Sequence, residues 1–600
     1  MISIGQLVSI IIHQNRERMK IMKLLNIFKK HMTALTNTIS RYLATTIYLV
    51  AIVIVRFFAI ENINGQDTLY NQLFAALIIG FFISICIRSL IETFSIHLFL
   101  RQALLYSLSV LGALIFYFFI RHENNLDSVG WIRTAILSFG LLITFLWIPS
   151  APPKRLSFPK SFMSGFKAFF MTLLFSGVLF LGIALVIAAI DNLLFNVDEN
   201  IYIHFSTLVF MFFAPIFYLS LIPNYILDDQ ARIEKATQGT SFLETLLSYI
   251  IIPLTAIFTL ILFIYITANI RSDFWQENLL EPMLVSYSIV VISVLLLSHR
   301  FKNPFASLFQ SIFPKLLIPI VLLQIIASIM KISSQGITHG RYFVILYGIF
   351  SLATGIIFSF FAKKHLGLIA VLFIFSALFS TIPPLDAFSI SRRHQIELLE
   401  DTLTQNNMLS DGQILPNASL DDETKSKITQ LTSYLHRMDY INHIAWIPED
   451  FNYYQDFESV FGFNEYDVFP RDSMNKGFYY SNTRDPEDAI AIDGYSHLVT
   501  MPISYFSNDD FPVASANIES NGLLYSISWE ANENLGQFTL SNSNGQSLLI
   551  LETTNYDSTF YEAENTQAKL KVIPNYMNLY FENDKLESLN GDIYILVQLK

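Results

Sequence analysis

Cysteine is almost missing from this sequence. Cys86 is the one in 600 residues, and it sits inside an apolar run. No disulfide can form within the chain, and the C-terminal part, which has no cysteine, is neither a disulfide scaffold nor a thiolate metal site. Charge is scarce as well. Asp, Glu, Lys and Arg make up 14% of the residues, against roughly 25% in a soluble domain. The chain has no Gly-x-Ser-x-Gly, phosphate loop, His-Glu-x-x-His or Gly-x-Gly-x-x-Gly pattern, so the common hydrolase, nucleotide and metalloprotease chemistries have no local signature here. What is present is hydrocarbon: 53% hydrophobic residues, 54 Phe and a mean hydropathy of +0.46.

The net charge of -11 conceals a division. Residues 1–382 carry 26 Lys and Arg against 16 Asp and Glu, whereas residues 383–600 carry 12 against 33. A basic membrane-like half and an acidic tail argue against nucleic-acid binding, which needs a positive footprint.

A membrane-crossing helix needs about 20 mostly apolar residues. Such runs occur at 42–60, 69–87, 99–120, 131–148, 166–190, 203–227, 246–270, 282–298, 312–330, 342–361 and 366–382. That predicts about eleven spans, with those at 69, 282 and 366 short. Lys and Arg gather on the cytoplasmic side of membrane proteins. Here they fill the leader (Arg16, Arg18, Lys20, Lys23, Lys29, Lys30) and alternate loops, among them Arg88, Lys154, Arg155, Arg232, Lys302 and Lys363. The opposite loops hold Glu61, Asp67, Asp191, Asp198 and Glu281, with few basic residues, Arg133 being one. The N-terminus is therefore expected inside, and an odd number of spans places the acidic tail outside the cytoplasm. The charges follow the first apolar stretch, the reverse of a cleavable signal. Met19 or Met22 is an alternative start. Residues 21–40 fit a cytoplasmic leader or a basic helix lying on the membrane surface.

Ionisable residues at membrane depth are functional candidates by default, and few occur. Arg56 is expected to reach outward toward Glu61. Arg88, Glu92 and His97 fall near the inner face and Asp191 near the outer one, so no deep acid or His relay is visible. Pro215 and Pro223 share a span, Pro253 lies in the next, and Pro314 and Pro319 lie in a third. Such prolines mark either the discontinuous helices of a binding site or kinked helices packed by their neighbours. Gly80 with Ser84, and Ser351 with Gly355, have the small-xxx-small spacing of close helix packing.

The chain changes character at Pro383-Pro384-Leu385-Asp386-Ala387-Phe388-Ser389-Ile390-Ser391-Arg392-Arg393. Two prolines stop the last apolar helix, which is read as running to Ile382. His394-Gln395, Leu398-Leu399-Glu400, Asn407-Met408-Leu409 and Gly412-Gln413-Ile414 follow. This stretch resembles the bacterial multi-pass membrane family catalogued as domain of unknown function 4153, in particular its Bacteroidetes-like members. The resemblance covers the membrane half in hydropathy and about 383–435 in motif, with His394 standing where those members have a small polar residue. It implies a bacterial inner-membrane protein and no activity, so it brings no site residues.

Beyond the hinge, 391–406 reads as a helix with Ile396, Leu399 and Leu403 at helical spacing, capped by Ser389 or Ser391. Asp421-Asp422-Glu423 opens a second helix to about Arg437, its apolar face made of Ile428, Leu431 and Leu435. From about 490 the period becomes two, and strands are predicted at 497–506, 523–530, 537–541, 547–551, 568–573 and 592–599. Asn521-Gly522 and Asn544-Gly545 are hairpin signals, and Asn590-Gly591 reads as a third turn. His436, Asp439 and His443 have metal-ligand spacing, which a solvated helix face shows equally. Asp485 with Asp488, and Asp509-Asp510, are acidic loops without a calcium-loop signature. Tyr453-Tyr454, Phe457, Phe461 and Phe463 are a core stripe or a ligand platform.

The fold expected is an α-helical polytopic membrane bundle followed by a soluble α+β domain with a small antiparallel sheet packed on helices. Its parts are a basic leader (1–41), the membrane domain (42–382), a hinge with a helical pair (383–445) and a β-rich domain (446–600). No catalytic, cofactor or metal residue is assigned. The function read from this is a non-enzymatic inner-membrane protein whose extracytoplasmic domain binds or senses an envelope protein or lipid. The alternative is a transporter or lipid-handling protein using the Pro-broken helices. The partner common to both is the lipid bilayer.

Overall fold

The computed structural model describes residues 35–61, 67–122, 128–152, 156–269, 280–361, 365–410, 412–441, 444–448, 451–464, 478–483, 490–506, 513–520, 522–530, 536–553, 560–582 and 585–600. Most of the basic leader, His443 and the acidic loops at Asp485, Asp488, Asp509 and Asp510 lie outside these ranges. The chain divides into two compact units. One runs to Gln413 and includes Leu431–Phe451; the other comprises Ile414–Gln430 and Asn452–Lys600.

The first unit is helical, as lipid requires, because hydrocarbon offers backbone groups no outside partner. Its elements are α1 (Leu43–Glu61), α2 (Asp67–Thr93), α3 (Phe99–His122), α4 (Ser128–Trp147), α5 (Phe158–Leu193), α6 (Asn200–Thr207), α7 (Ala214–Leu221), α8 (Gln230–Thr237), α9 (Ser241–Leu246), α10 (Ile252–Asn269), α11 (Leu280–Ser298), α12 (Pro304–Gln335), α13 (His339–Phe360), α14 (Gly367–Phe379) and α15 (Ala387–Gln405). A π-helical turn joins α6 to α7 and another joins α9 to α10. Among the described residues, ten helices or helix runs are long and apolar enough to cross a bilayer, and the chain is a multi-pass membrane protein. Phe and Leu side chains of α3, α5 and α10 point outward, for example Leu108, Leu185 and Phe263.

The eleventh expected span is α14, which has only 13 residues. That is about 20 Å at 1.5 Å per residue, short of a hydrocarbon core of about 30 Å. Its packing shows that the chain nevertheless traverses the bundle. Gly367 lies against Trp147, the Phe373 ring is 5.4 Å from Phe139, and a Cβ on Gly140 would come within 2.9 Å of Ala377. These contacts run down α4 in the opposite direction, so α14 is antiparallel to it. Buried Ser380 and Thr381, just after the helix, extend the crossing.

Both small-residue patterns serve close packing. A Cβ on Gly80 would run into the Tyr48 ring, and one turn later Ser84 Oγ is 2.6 Å from Thr45 Oγ1. A Cβ on Gly355 would lie 3.3 Å from the Pro314 carbonyl oxygen, and one on Gly348 would lie 2.8 Å from Ile325.

The last helices are α16 (Asp422–Arg437), with Asp422 and Glu423 in its first turn, and α17 (Tyr453–Phe461). Ile428, Leu431 and Leu435 are buried as expected. The aromatic run is core: Tyr453, Phe457, Phe461 and Phe463 are buried and meet in edge-on or tilted contacts, while Tyr454 points away, 73% exposed.

The second unit holds β1 (Phe478–Thr483), β2 (His497–Phe506), β3 (Val513–Ser520), β4 (Leu523–Glu530), β5 (Gly536–Asn542), β6 (Ser547–Thr553), β7 (Tyr561–Glu564), β8 (Ala568–Glu582) and β9 (Lys585–Leu599). They form two antiparallel sheets rather than one. The first has the order β1-β8-β9-β2 with β7 also on β8, and the second has the order β3-β4-β5-β6. The sheets share one core, with Met501, Leu570 and Ile595 from one and Ile527, Trp529 and Phe538 from the other. The expected packing on helices is thus replaced by sheet on sheet. The two hairpin signals hold: Ser520 pairs with Leu523, and Gly522 and Gly545 have φ of 75° and 77°. Asn590-Gly591, expected to turn, lies in mid-strand, where Gly591 pairs with Met577 and Ile503. A bulge sits opposite, between Pro574 and Tyr576, and a Cβ on Gly591 would lie 2.6 Å from the Tyr576 carbonyl oxygen. This glycine marks a close backbone approach.

Trp529 is fully buried at the centre of that core. Trp529→Ala is expected to destabilise the β unit by about 3–5 kcal/mol. Limited proteolysis of the full-length protein should then cleave within 478–600 much faster, and wild-type resistance would contradict the placement.

Candidate functional site at the hinge

The residues of the hinge are held by the helical unit one after another. Asp386 Oδ2 accepts from Arg133 Nη2 at 2.6 Å, and both side chains are buried, at 0% and 3% exposure. The Arg133 guanidinium lies between two rings, 5.0 Å from the Phe119 centroid and 5.0 Å from that of Phe388. Face-on contact with two rings suits a cation taken out of water. The same carboxylate oxygen accepts from Ser389 N and caps α15. The helix thus starts at Ala387, and the cap is Asp386 rather than Ser389 or Ser391. An acidic cap also favours the positive end of the helix.

Around this pair several neighbouring groups are engaged. Tyr342 donates its hydroxyl to the Leu385 carbonyl at 2.8 Å. The His339 ring stacks 5.7 Å from Phe388, and its Nδ1 and backbone N lie 3.0 and 3.1 Å from the Tyr434 hydroxyl. Gln395 Nε2 donates to the Ile337 carbonyl at 3.1 Å, and His394 Nδ1 accepts from Ile337 N at 3.3 Å. His394 thus helps to hold the turn before α13. Gly336 has φ of 74°, and a Cβ there would lie 2.7 Å from Gln395 Nε2, so this turn needs glycine. Burial pushes the Tyr440 phenol up, which keeps it protonated beside Arg392.

The geometry also fixes the parity of the crossings. Counting helices from α1, the start of α4 lies at the end of the bundle opposite Arg41, and Arg133 is there. Asp386 meets it, so the chain has crossed between Phe360 and Asp386. Chemically the site is a fastening. A carboxylate with no exposed surface, already bound to a guanidinium, cannot meet a substrate.

At the other end of the bundle, Arg41 Nε and Nη2 donate to Glu92 at 2.8 and 2.7 Å, and Arg88 Nε donates to it at 2.8 Å. Arg41 Nη1 also donates to the Ile222 carbonyl at 2.8 Å, taking up a group left free where α7 stops. Arg56 does not reach Glu61. Its guanidinium lies 5.2 Å from the Phe74 ring centroid, and Glu61 pairs with His204 at 2.7 Å. Lys331 lies 3.9 Å from Glu281, which also accepts from Ser328 at 2.8 Å.

The prolines divide into three cases. Pro215 and Pro253 each follow a π-helical turn by two residues. Such a turn relieves the clash between a proline ring and the carbonyl four residues earlier. Pro314 and Pro319 lie in the unbroken α12. Pro223 lies beyond the end of α7, not within a span. His436 and Asp439 end α16 and the turn after it, and among the described residues no three His, Cys, Asp or Glu side chains are placed to hold a metal.

Removing one partner of a buried ion pair leaves the other charge unpaired, at a cost of about 3–5 kcal/mol. Arg133→Ala and Asp386→Ala should each lower the melting temperature of the detergent-solubilised protein strongly. The double variant R133M/D386L should recover most of the loss. A wild-type melting temperature in either single variant would contradict the assignment.

No curated protein and no solved structure matches the chain. A family model does: it begins at residue 44, at the start of α1, and ends at residue 416, beyond α15, so it contains both partners of the ion pair and leaves out the β unit. By this match over residues 44–416, the chain belongs to the family described as Domain of unknown function (DUF4153).

Proposed function

We propose that this is a non-enzymatic protein of a bacterial inner membrane, with its N-terminus cytoplasmic. Its helical unit holds the region after the last crossing so that the C-terminal β unit binds or senses an envelope protein or lipid on the outer side. The observation that carries this reading is the Arg133–Asp386 fastening. It ties the chain to the bundle at the point where it leaves the membrane, which an unstructured tether would not need. The acidic composition of residues 383–600 and the basic leader support the orientation. Tight packing of α12 against α13 at Pro314 supports a holder rather than a channel at those prolines.

A second reading, lipid handling, has one observation in its favour. Val178, Gly182, Val186, Phe195, Ile201 and Phe205 line an open apolar groove along α5 and α6, a lining that suits an acyl chain.

Topology fusions test the first reading. A reporter active only outside the cytoplasm should be active after Lys600 and silent after Lys364. In the same cells, photo-crosslinkers on exposed Ile550 or Tyr576 should capture a discrete envelope component. A silent Lys600 fusion, or crosslinking to nothing, would overturn it.

A further inference from the structure

We propose that the apolar groove along α5 and α6 seats one acyl chain of a phospholipid whose headgroup carries an amine, and prefers such lipids to anionic ones. The proposal rests on the lipid-handling reading and deepens it by naming the lipid. From Val178 to Ile190 the α5 wall of the groove is about 18 Å long at 1.5 Å per residue, a little more than half of a hydrocarbon core of about 30 Å. Ile187 is buried in its floor, and Val178, Val186 and Phe195 stand exposed along it.

Gly182 keeps the groove deep. Glycine inside a helix is less favourable than alanine, and membrane helices use it where another helix comes close. Gly80, Gly112, Gly140, Gly165 and Gly348 serve that purpose here, since a Cβ on each would come within 3.0 Å of a side chain on a neighbouring helix. Among the described residues, a Cβ on Gly182 would meet nothing within 4 Å. Gly182 lies one turn from Val178 and one turn from Val186, so its missing side chain leaves room midway along the groove rather than room for a helix.

Charge at the rim selects the headgroup. The groove ends at the end of the bundle opposite Arg41, where Val197 and Ile201 line it. Asp198 and Glu199 lie between those two residues and are exposed, and Asp191 follows Ile190. One oxygen of Asp191 accepts from Val197 N at 2.7 Å and one of Asp198 accepts from Asn200 N at 2.8 Å, which fixes both carboxylates at the rim. Residues 168–213 contain these three carboxylates and no Lys or Arg, and His204 is held by Glu61 at 2.7 Å. A headgroup amine arriving there meets opposite charge, whereas an anionic headgroup meets like charge.

The test uses the full-length protein in vesicles of equal parts phosphatidylethanolamine and phosphatidylglycerol, doped with one or the other lipid carrying the same diazirine acyl chain. After illumination, mass spectrometry of the digest should find residues 178–190 and 195–205 labelled about threefold more by the ethanolamine probe than by the glycerol probe, a ratio within reach of a surface charge pair. The lipid-facing stretch 104–115 of α3 should take up both probes alike. The double variant D198N/E199Q should bring the groove's ratio to that of α3, and Gly182→Leu, which fills the groove, should lower its labelling by both probes. Equal labelling of the groove by the two probes, above α3 and lost in Gly182→Leu, would overturn the headgroup preference while leaving the lipid-handling reading intact. Groove labelling no higher than that of α3 with either probe, as when a second copy or another protein covers it, would overturn both.

Discussion

A guanidinium and a carboxylate 253 positions apart in sequence meet at 2.6 Å, out of contact with water. Desolvating two charges is expensive, and their attraction offsets that cost only with good geometry and further partners. Two aromatic rings flank Arg133, and Asp386 Oδ2 also accepts from Ser389 N at the start of α15, while its Oδ1 has no hydrogen-bond partner among the described residues. Neither residue can be placed unless α4 and α14 are already antiparallel and in register. Asp386 also starts α15, so the ion pair decides where the post-membrane helix begins and on which end of the bundle. The stacking of His339 and the hydrogen bonds of Tyr342, Gln395 and His394 then follow from that placement.

The same economy governs the rest of the helical unit. Lipid tolerates few unpaired polar groups, and many of the charged residues gather at the two ends of the bundle, Arg41–Arg88–Glu92 at one and Arg133–Asp386 at the other, with Glu281–Lys331 near the second. Between them the helices meet through glycine, serine and threonine. Prolines are accommodated by π turns or by a neighbouring glycine rather than by open breaks.

Much of this was legible in the sequence. Run length alone located the spans, since a bilayer sets the length of a crossing helix, and strand alternation with Asn-Gly turns located most of the β unit. Legibility failed where an outcome depends on distant residues. Arg133 reads as one more loop charge until Asp386 is brought to it. Ser389 and Ser391 are plausible caps by residue type, but the cap of α15 is Asp386, three residues after the first proline. Asn590-Gly591 has the composition of a turn, yet a bulge in β8 requires glycine at that point of β9. Arg56 and Glu61 are near in sequence, but Phe74 and His204, from other helices, are nearer in space. β1 and β7 are short, at six and four residues, and β3 alternates but places mostly small residues, Ala514 and Ala516, inward, so their strand signals are weak.

The central claim is that the hinge is fastened to the membrane bundle, and backbone hydrogen exchange at residues 389–395 tests it most directly. In the full-length protein in lipid nanodiscs, the account predicts that these amides exchange as slowly as those in the middle of α12 and α13. Exchange at the rate of an exposed, independently fraying helix would mean that Arg133 and Asp386 do not hold the chain, and would contradict the account.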